Sequence, residues 1–134
     1  MNKMVEELKK VKIFYIAKIE DNKPKIRPFS SITAFEGNAY ICLGTQKEFY
    51  KQVKENHNIL ISRMYDRGTW IRVSATLKEG NRYEIQETML NYKTGPSHLY
   101  KPNDGRFVTY KLENAVSYKF NFYAATEEIR ENNG

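Results

Sequence analysis

The stretch EGNAYICLGTQKEFYKQVKENHNILIS, residues 36–62, decides the fold class. It opens with a turn and an apolar, β-rich run, Ala39 to Gly44, after which the hydrophobic period changes to that of a helix. Phe49 and Val53 are four residues apart in this second part, so we predict a helix of roughly three turns. Another strand, Ile59 to Tyr65, follows. A helix inserted between two strands is therefore the central unit of the fold.

Upstream of this unit the sequence predicts a short helix and a β-hairpin. The helix covers Asn2 to Lys10, where two apolar residues are three apart and most other positions are charged. The first strand runs from Lys12 to Glu20 and the second from Lys25 to Phe35. Asp21 and Asn22 supply the turn between them, because these residue types accept the backbone conformations that tight turns need.

Downstream, the sequence predicts three more strands and one helix. In the strand Thr69 to Leu77 apolar and polar residues alternate, as expected when one face lies on the core. A helix over Arg82 to Tyr92 and a long loop over Thr94 to Arg106 come next. The segments Phe107 to Leu112 and Ala115 to Tyr123 then predict a closing hairpin. We expect four alternating residues of its last strand to share a core-facing side: Val116, Tyr118, Phe120 and Phe122.

Together these elements predict a mainly β (α+β) domain. About seven strands joined largely by short turns, with two or three peripheral helices, are typical of an antiparallel barrel. The 134 residues, 40 % of them hydrophobic, suffice for one core, so residues 1–134 are expected to form a single domain. A doubly wound α/β fold fits poorly, since strands and helices do not alternate and no G-x-G-x-x-G occurs.

The charge balance favours an anionic ligand. The formal net charge is +6, and the basic residues are spread along the chain and do not form a tail. The sequence contains no long apolar run and a single cysteine, Cys42, so we expect a cytoplasmic protein without a membrane segment or an internal disulfide. Cys42 is expected to be a small buried hydrophobe, and His57 and His98 lack the spaced partners of a metal site.

Two local features could bind an anion. At the junction after Gly44, Thr45 and Glu48 have the spacing of a capping box, so backbone N–H groups of the helix start would face a ligand beside Lys47. The alternative is that Lys47 is a surface lysine offset by Glu48. Arg27 is the second feature, with a planar guanidinium suited to phosphate. It could instead face solvent on an edge strand, because the following proline cannot donate to a ladder.

The succession IRPFSS (26–31), EGNAYICLGTQKEFYKQVKENHNILIS (36–62) and GTWIRVSATL (68–77) resembles the pyridoxamine 5′-phosphate oxidase-like, FMN-binding split barrels. The resemblance extends over nearly the whole chain and implies a homodimer with FMN in a groove at its interface. It assigns the phosphate to Arg27 and Lys47, with Lys51 as a further candidate. The other implied cofactor-binding residues line the ribityl chain and the flavin ring or come from the second subunit: Gly44, Thr45, Gln46, Pro28, Phe29, Ser30, Trp70 and Arg72.

The resemblance implies an FMN-dependent oxidoreductase that acts on a small molecule, with the flavin carrying the electrons and no residue serving as nucleophile or base. Pyridoxamine phosphate oxidases themselves have a glutamine where this chain has Trp70, and a longer C-terminal region that grips the vitamin, so a different substrate is expected. The alternatives are a non-catalytic flavin-binding or flavin-storing protein and a basic barrel that binds single-stranded nucleic acid. The expected core position of Tyr118, Phe120 and Phe122 speaks against the last.

Overall fold

The computed structural model describes residues 2–10, 13–44, 48–66, 68–80, 82–90 and 107–131. In chain order the elements are α1 (Lys3–Lys9), β1 (Phe14–Glu20), β2 (Lys23–Phe29), β3 (Thr33–Phe35), β4 (Asn38–Gly44), α2 (Glu48–Glu55), β5 (Asn58–Asp66), β6 (Thr69–Glu79), α3 (Tyr83–Leu90), β7 (Phe107–Asn121) and β8 (Ala124–Ile129).

All strands of the described part pair antiparallel in one sheet, in the order β2-β1-β5-β6-β7-β4-β3, with β8 added to β7. The long strand β7 pairs with β6 and, through its first residues, also with β4. One strand therefore belongs to two parts of the sheet, which lets the sheet curl round a core. The predicted mainly β split barrel is confirmed.

Two tight turns place the first four strands. Asp21 and Asn22 join β1 to β2 with φ values of 51° and 62°, and Glu36 and Gly37 join β3 to β4 with 52° and 80°. Consecutive positive φ values in a two-residue loop match the right-handed twist of the paired strands. The turns predicted at both places are confirmed.

The core lies on the inner surface of the sheet. The predicted alternation of β6 is confirmed, because Ile71 and Val73 are fully buried and the residues between them face outward. Helices α1 and α2 cover this core with a few apolar residues: Met4, Val5, Leu8, Phe49 and Val53. Helix α3 packs on the other side of β4, where a smaller cluster joins Tyr40, Ile85 and Met89. No helix of the described ranges is long and apolar enough to cross a membrane.

The strand predicted over Lys25 to Phe35 is in fact two strands. Strand β2 ends at Phe29, and residues 30–32 lead to β3, which pairs at the opposite edge of the sheet. The prediction was wrong because the apolar residues on both sides of the Ser30–Ser31 pair look like one run in the sequence. The break carries the chain from one edge of the sheet to the other.

The predicted closing hairpin was also wrong. Residues 107–121 form one strand, and Asn114, which lies between the two predicted strands, has φ 55° inside it. The register to β6 shifts at this point, between Ser74 and Thr76, so Asn114 belongs to a bulge that kinks the strand without reversing it. The hairpin partner is β8, which the sequence pattern did not predict.

The bulged strand also faces the other way from our expectation. Val116, Tyr118 and Phe122 are exposed and Phe120 is half-buried, whereas the intervening Ser117 is buried. The prediction that they face the core is therefore wrong. The helix predicted over Arg82 to Tyr92 is confirmed as α3, while Tyr92 and the loop Thr94 to Arg106 lie outside the described residues.

Candidate functional site

Arg27 lies on the inner surface of β2, opposite the buried Ile16 of β1. Its Nη2 donates to Glu20 Oε1 at 3.1 Å, and its Nη1 donates to Glu20 Oε2. Its guanidinium carbon also lies 5.1 Å from the centre of the Phe49 ring, in the first turn of α2. The arginine is thus held between a carboxylate and an aromatic ring at the start of a helix.

Lys18 and Glu20 are two charged residues at alternate positions of β1, and Lys18 contacts α2. Both side chains point inward from β1 and are buried. The Lys18 ammonium donates to the backbone carbonyls of Gln52 at 3.2 Å and Ile19 at 3.3 Å. Burial lowers the pKa of Lys18, and the hydrogen bond from Arg27 lowers the pKa of Glu20. One carboxylate therefore lies close to two cations.

Phe29 anchors the same corner from the next inward position of β2. Its ring centre lies 6.3 Å from that of Phe14 and 5.4 Å from that of Phe49. Arg27 and Phe29 both contact Phe49, so strand β2 is fixed against the first turn of α2. The structure thus brings two of the predicted site residues to the start of the predicted helix.

The strand-to-helix junction is described only at its two ends. Gly44 ends β4 and is buried, and α2 is described from Glu48. Thr45, Gln46 and Lys47 lie outside the described residues, so the predicted capping box stays a prediction.

The remaining predicted residues of this corner are more exposed. Pro28 lies on the outer surface opposite Tyr15, Ser30 is exposed after the end of β2, and Lys51 is exposed on α2. The neighbouring Ser31 differs, because its hydroxyl is buried and has no hydrogen-bond partner among the described residues. Sequence reasoning did not single out Ser31.

Trp70 and Arg72 form a second group, on the outer surface of β6. Trp70 stacks on Phe120 with 5.2 Å between ring centres and an interplanar angle of 10°, and its ring centre lies 4.8 Å from that of Phe122. The guanidinium carbon of Arg72 lies 4.7 Å from the centre of the Phe120 ring. We call the four aromatic residues of this group the aromatic outer face: Trp70, Tyr118, Phe120 and Phe122.

The aromatic outer face continues into an exposed apolar surface. Strand register places Tyr15, Ser62, Arg72 and Tyr118 in one row across β1, β5, β6 and β7. Neighbouring rows on the same side contribute exposed Leu60, Met64 and Val116. Contiguous exposed apolar surface of this kind marks interaction sites on soluble proteins.

The two groups of predicted site residues lie on opposite surfaces of the sheet. Arg27 points inward with Ile16, whereas Arg72 points outward between the buried Ile71 and Val73. One chain therefore does not bring Trp70 and Arg72 to Arg27.

The remaining candidates are the Cys42 thiol and a metal site. Cys42 is half-buried on β4, and burial raises the pKa of its thiol to about 12, so it stays protonated at neutral pH. Within the described ranges no three or more His, Cys, Asp or Glu side chains form a group that could hold a metal ion.

Solved structures resemble this fold over most of its length. A NimC/NimA family protein from Clostridium acetobutylicum is 28% identical, with a TM-score of 0.85 over 95% of this chain and 91% of that chain. General Stress Protein 26 from Bacillus anthracis str. Sterne superimposes with a TM-score of 0.71 over 95% of this chain and 97% of that one, at 13% identity.

A third solved structure is a pyridoxamine 5′-phosphate oxidase-related, FMN-binding protein from Nostoc punctiforme PCC 73102. It is 11% identical, with a TM-score of 0.63 over 96% of this chain and 93% of that chain. The fold of the chain is that of the pyridoxamine 5′-phosphate oxidase-like split barrels. No family model and no curated protein sequence matched it.

Proposed function

We propose that this split-barrel protein binds FMN at a homodimer interface and uses it as an oxidoreductase of a small molecule. The observation that carries the proposal is the position of Arg27, a guanidinium held against the first turn of α2. A helix start and an arginine together suit a phosphate ester. The likeness to an FMN-binding protein of the same fold supports this choice of anion.

The donors present fit the phosphate end of FMN. Glu20 takes one hydrogen from each Nη of Arg27, and a guanidinium has further N–H groups on Nε and on both Nη atoms. Lys47, which precedes Glu48 in the sequence, is proposed as the second cation. The buried Ser31 hydroxyl, without a partner among the described residues, offers a polar group beside the strand proposed to follow the flavin ring.

A second copy of the chain would complete the site. Trp70 and Arg72 would not contact a ligand bound at the Arg27 of their own chain, because the two groups lie on opposite surfaces of the sheet. The exposed apolar surface around the aromatic outer face gives a homodimer a face to bury. Burying it would place Trp70 and Arg72 of one protomer at the flavin of its partner.

Bound FMN would supply hydride and single-electron transfer to the site. The chain's own part is binding and orientation: Arg27 holds the phosphate, and the stacked Trp70 and Phe120 exclude water on the partner's side. Arg72 presents a fixed positive charge there, which suits an electron-rich or anionic group of flavin or substrate.

The test is the visible absorption spectrum of the purified protein after FMN is added and the excess is removed by gel filtration. We expect a retained flavin band that weakens in Arg27→Ala and Lys47→Ala. Arg82→Ala is the matched control, because Arg82 also pairs with a glutamate, Glu36, and lies 5.2 Å from a ring centre, that of Phe35.

Each outcome bears on a different part of the proposal. Retained flavin with turnover of an electrophilic small molecule supports an enzyme, and retained flavin without any turnover supports flavin storage. A colourless protein that binds oligonucleotides in a salt-sensitive way would contradict the FMN assignment.

A further inference from the structure

Two different contacts fix the guanidinium of Arg27. The Glu20 carboxylate accepts a hydrogen bond from each Nη atom, which fixes the orientation of the guanidinium plane. The Phe49 ring lies against it, with 5.1 Å from ring centre to guanidinium carbon. Arginine side chains that are partly exposed usually sample several rotamers, and this one is only one-third exposed and held by two partners.

We propose that Glu20 is a positioning residue for the cofactor phosphate, acting through Arg27. The inference rests on the proposed function, and it adds a residue that never touches the ligand. Glu20 accepts one hydrogen from each Nη and so holds the guanidinium beside the first turn of α2, which leaves the remaining N–H groups for the phosphate proposed to sit there.

The carboxylate is itself held in place. The Glu20 side chain is 4% exposed, and the buried Lys18 ammonium lies on the same inward side of β1. Moving the carboxylate to solvent would leave the half-buried Arg27 without its carboxylate partner and would remove one of the two carboxylates, Glu20 and Glu55, that act on the buried Lys18. Glu20 therefore stays paired when an anion binds, and does not compete for the same N–H groups.

The local charge explains why the pair still attracts an anion. Glu20 interacts electrostatically with Arg27, Lys18 and Lys25, and one further carboxylate, that of Glu55 at the end of α2, acts on Lys18. Three cations therefore face two carboxylates around the inner surface of the β1–β2 hairpin, so a phosphate adds the missing negative charge. An ordinary one-to-one ion pair would have no such surplus.

The Arg82–Glu36 pair, at the start of α3, is an exposed ion pair of the same two residue types. Arg82 also approaches a glutamate and a phenylalanine ring, but its side chain is 54% exposed and that of Glu36 is 63% exposed. No buried lysine stands beside it within the described residues. This pair is therefore the control, because its arginine contacts the same residue types and is more exposed than Arg27.

The experiment compares FMN with riboflavin, which lacks the phosphate. Dissociation constants of both flavins are measured by fluorescence titration for the full chain and for Glu20→Ala, Arg27→Ala, the double variant and Glu36→Ala. We expect the preference for FMN over riboflavin to fall about tenfold in Glu20→Ala, the scale of one charge-assisted hydrogen bond, and to be unchanged in Glu36→Ala. In the Arg27→Ala background the same Glu20 substitution should have no further effect on this preference.

Glu20→Gln keeps one acceptor oxygen and serves as the second variant should Glu20→Ala fail to fold. An intermediate preference for FMN is expected from it. An unchanged or increased preference in the Glu20 variants, or equal losses of FMN and riboflavin binding in them, would overturn the positioning role. If Arg27→Ala also leaves the preference unchanged, the phosphate site of the proposed function fails as well, so the two failures are told apart.

Discussion

Arg72 of β6 lies over Phe120 of β7, with 4.7 Å between the guanidinium carbon and the ring centre. Trp70 stacks on the same ring with 5.2 Å between ring centres. A cation and an indole therefore share one phenyl ring on the outer side of the sheet. Such exposed cation–π contacts are worth about 0.5–1 kcal/mol each, enough to hold the arginine over an otherwise apolar surface.

Tyr118→Lys should prevent formation of the proposed homodimer. Tyr118 is exposed, so the monomer fold tolerates the change, but the new ammonium would lie beside Arg72 in the centre of the apolar surface. An unpaired charge at the core of an interface costs about 2–5 kcal/mol. We expect light scattering after size-exclusion chromatography to give the mass of a monomer. The amount of flavin that the protein retains should fall in the same variant.

Tyr83→Lys is the matched control for that substitution. Tyr83 is also an exposed tyrosine, but it lies at the start of α3, away from the aromatic outer face. Its variant should keep the mass and the flavin content of the parent protein. Equal behaviour of the two variants would speak against this surface as the dimer interface.

The sequence predicted most strands because alternation and turn residues are local signals. Asp21, Asn22 and Gly37 are residue types that accept positive φ and so indicate two turns, and Ile71 and Val73 show which side of β6 is buried. The bulge at Asn114 could not be predicted in this way. An asparagine with positive φ serves a turn and a bulge equally well, and only pairing with β6 decides between them.

The candidate site was predicted in part for a similar reason. Arg27 stood out as a residue type that suits phosphate, but its partner Glu20 is set by the three-dimensional course of the hairpin. The outward direction of Tyr118 was missed because alternation defines two faces of a strand without telling which one is the core. An apolar face meant for a partner subunit and one meant for the core have the same pattern.

Gly68→Ala should destabilise the turn beside the aromatic outer face. Gly68 has φ 72°, its carbonyl accepts a hydrogen bond from Phe122 N at 3.0 Å, and a Cβ would lie 3.1 Å from Phe122 Cδ2. We expect the free energy of unfolding in urea to fall by about 1–2 kcal/mol. Trp70, the single tryptophan of the chain, contacts Phe122, so its fluorescence emission should shift as well.

Two other glycines separate the causes of that loss. Gly37 has φ 80°, and a Cβ added there would meet no atom within 4 Å, so Gly37→Ala should show backbone strain alone, about 1 kcal/mol. Gly80 has neither a positive φ nor a close contact, and Gly80→Ala should cost nothing. A Gly68 variant as stable as the Gly80 variant would contradict the argument.

The Glu20–Arg27 pair should make stability depend on pH in the acid range. The pKa of Glu20 in the folded protein lies below its ordinary value of 4.5, chiefly because Arg27 donates to it. Its contribution is therefore complete above that value and is lost as the pH falls through the folded pKa. In urea unfolding at neutral pH we expect Glu20→Gln to be less stable than the parent by about 2 kcal/mol. This loss is smaller than that of a fully buried ion pair, because the Arg27 side chain is one-third exposed.

The difference between Glu20→Gln and the parent should shrink steadily as the pH is lowered below 4.5. Glu36→Gln, which breaks the exposed pair with Arg82, should differ from the parent by about 0.5 kcal/mol or less at every pH. A Glu20 variant whose deficit is the same in acid and at neutral pH would show that the carboxylate charge is not what stabilises the pair.

Glu131→Ala should loosen the start of the chain. The two carboxylate oxygens of Glu131 accept hydrogen bonds from Lys3 N at 2.7 Å and Met4 N at 3.1 Å, while the Asn2 side chain caps Val5 N at 3.0 Å. These are N–H groups that a helix start cannot pair within itself, and a negative charge there also suits the helix dipole. We expect a loss of about 1 kcal/mol, with Glu131→Gln in between because it keeps an acceptor and loses the charge.

Hydrogen exchange locates this effect, because α1 has only seven residues and depends on its caps and on the buried Met4, Val5 and Leu8. Amide protection in α1 should fall in Glu131→Ala while protection in β5 and β6 stays as it was. Glu127→Ala, on the exposed strand β8, removes a carboxylate of the same charge and leaves the caps of α1 in place, so it should leave both regions unchanged. Equal protection of α1 in the two variants would mean that Glu131 does not hold the helix to the sheet.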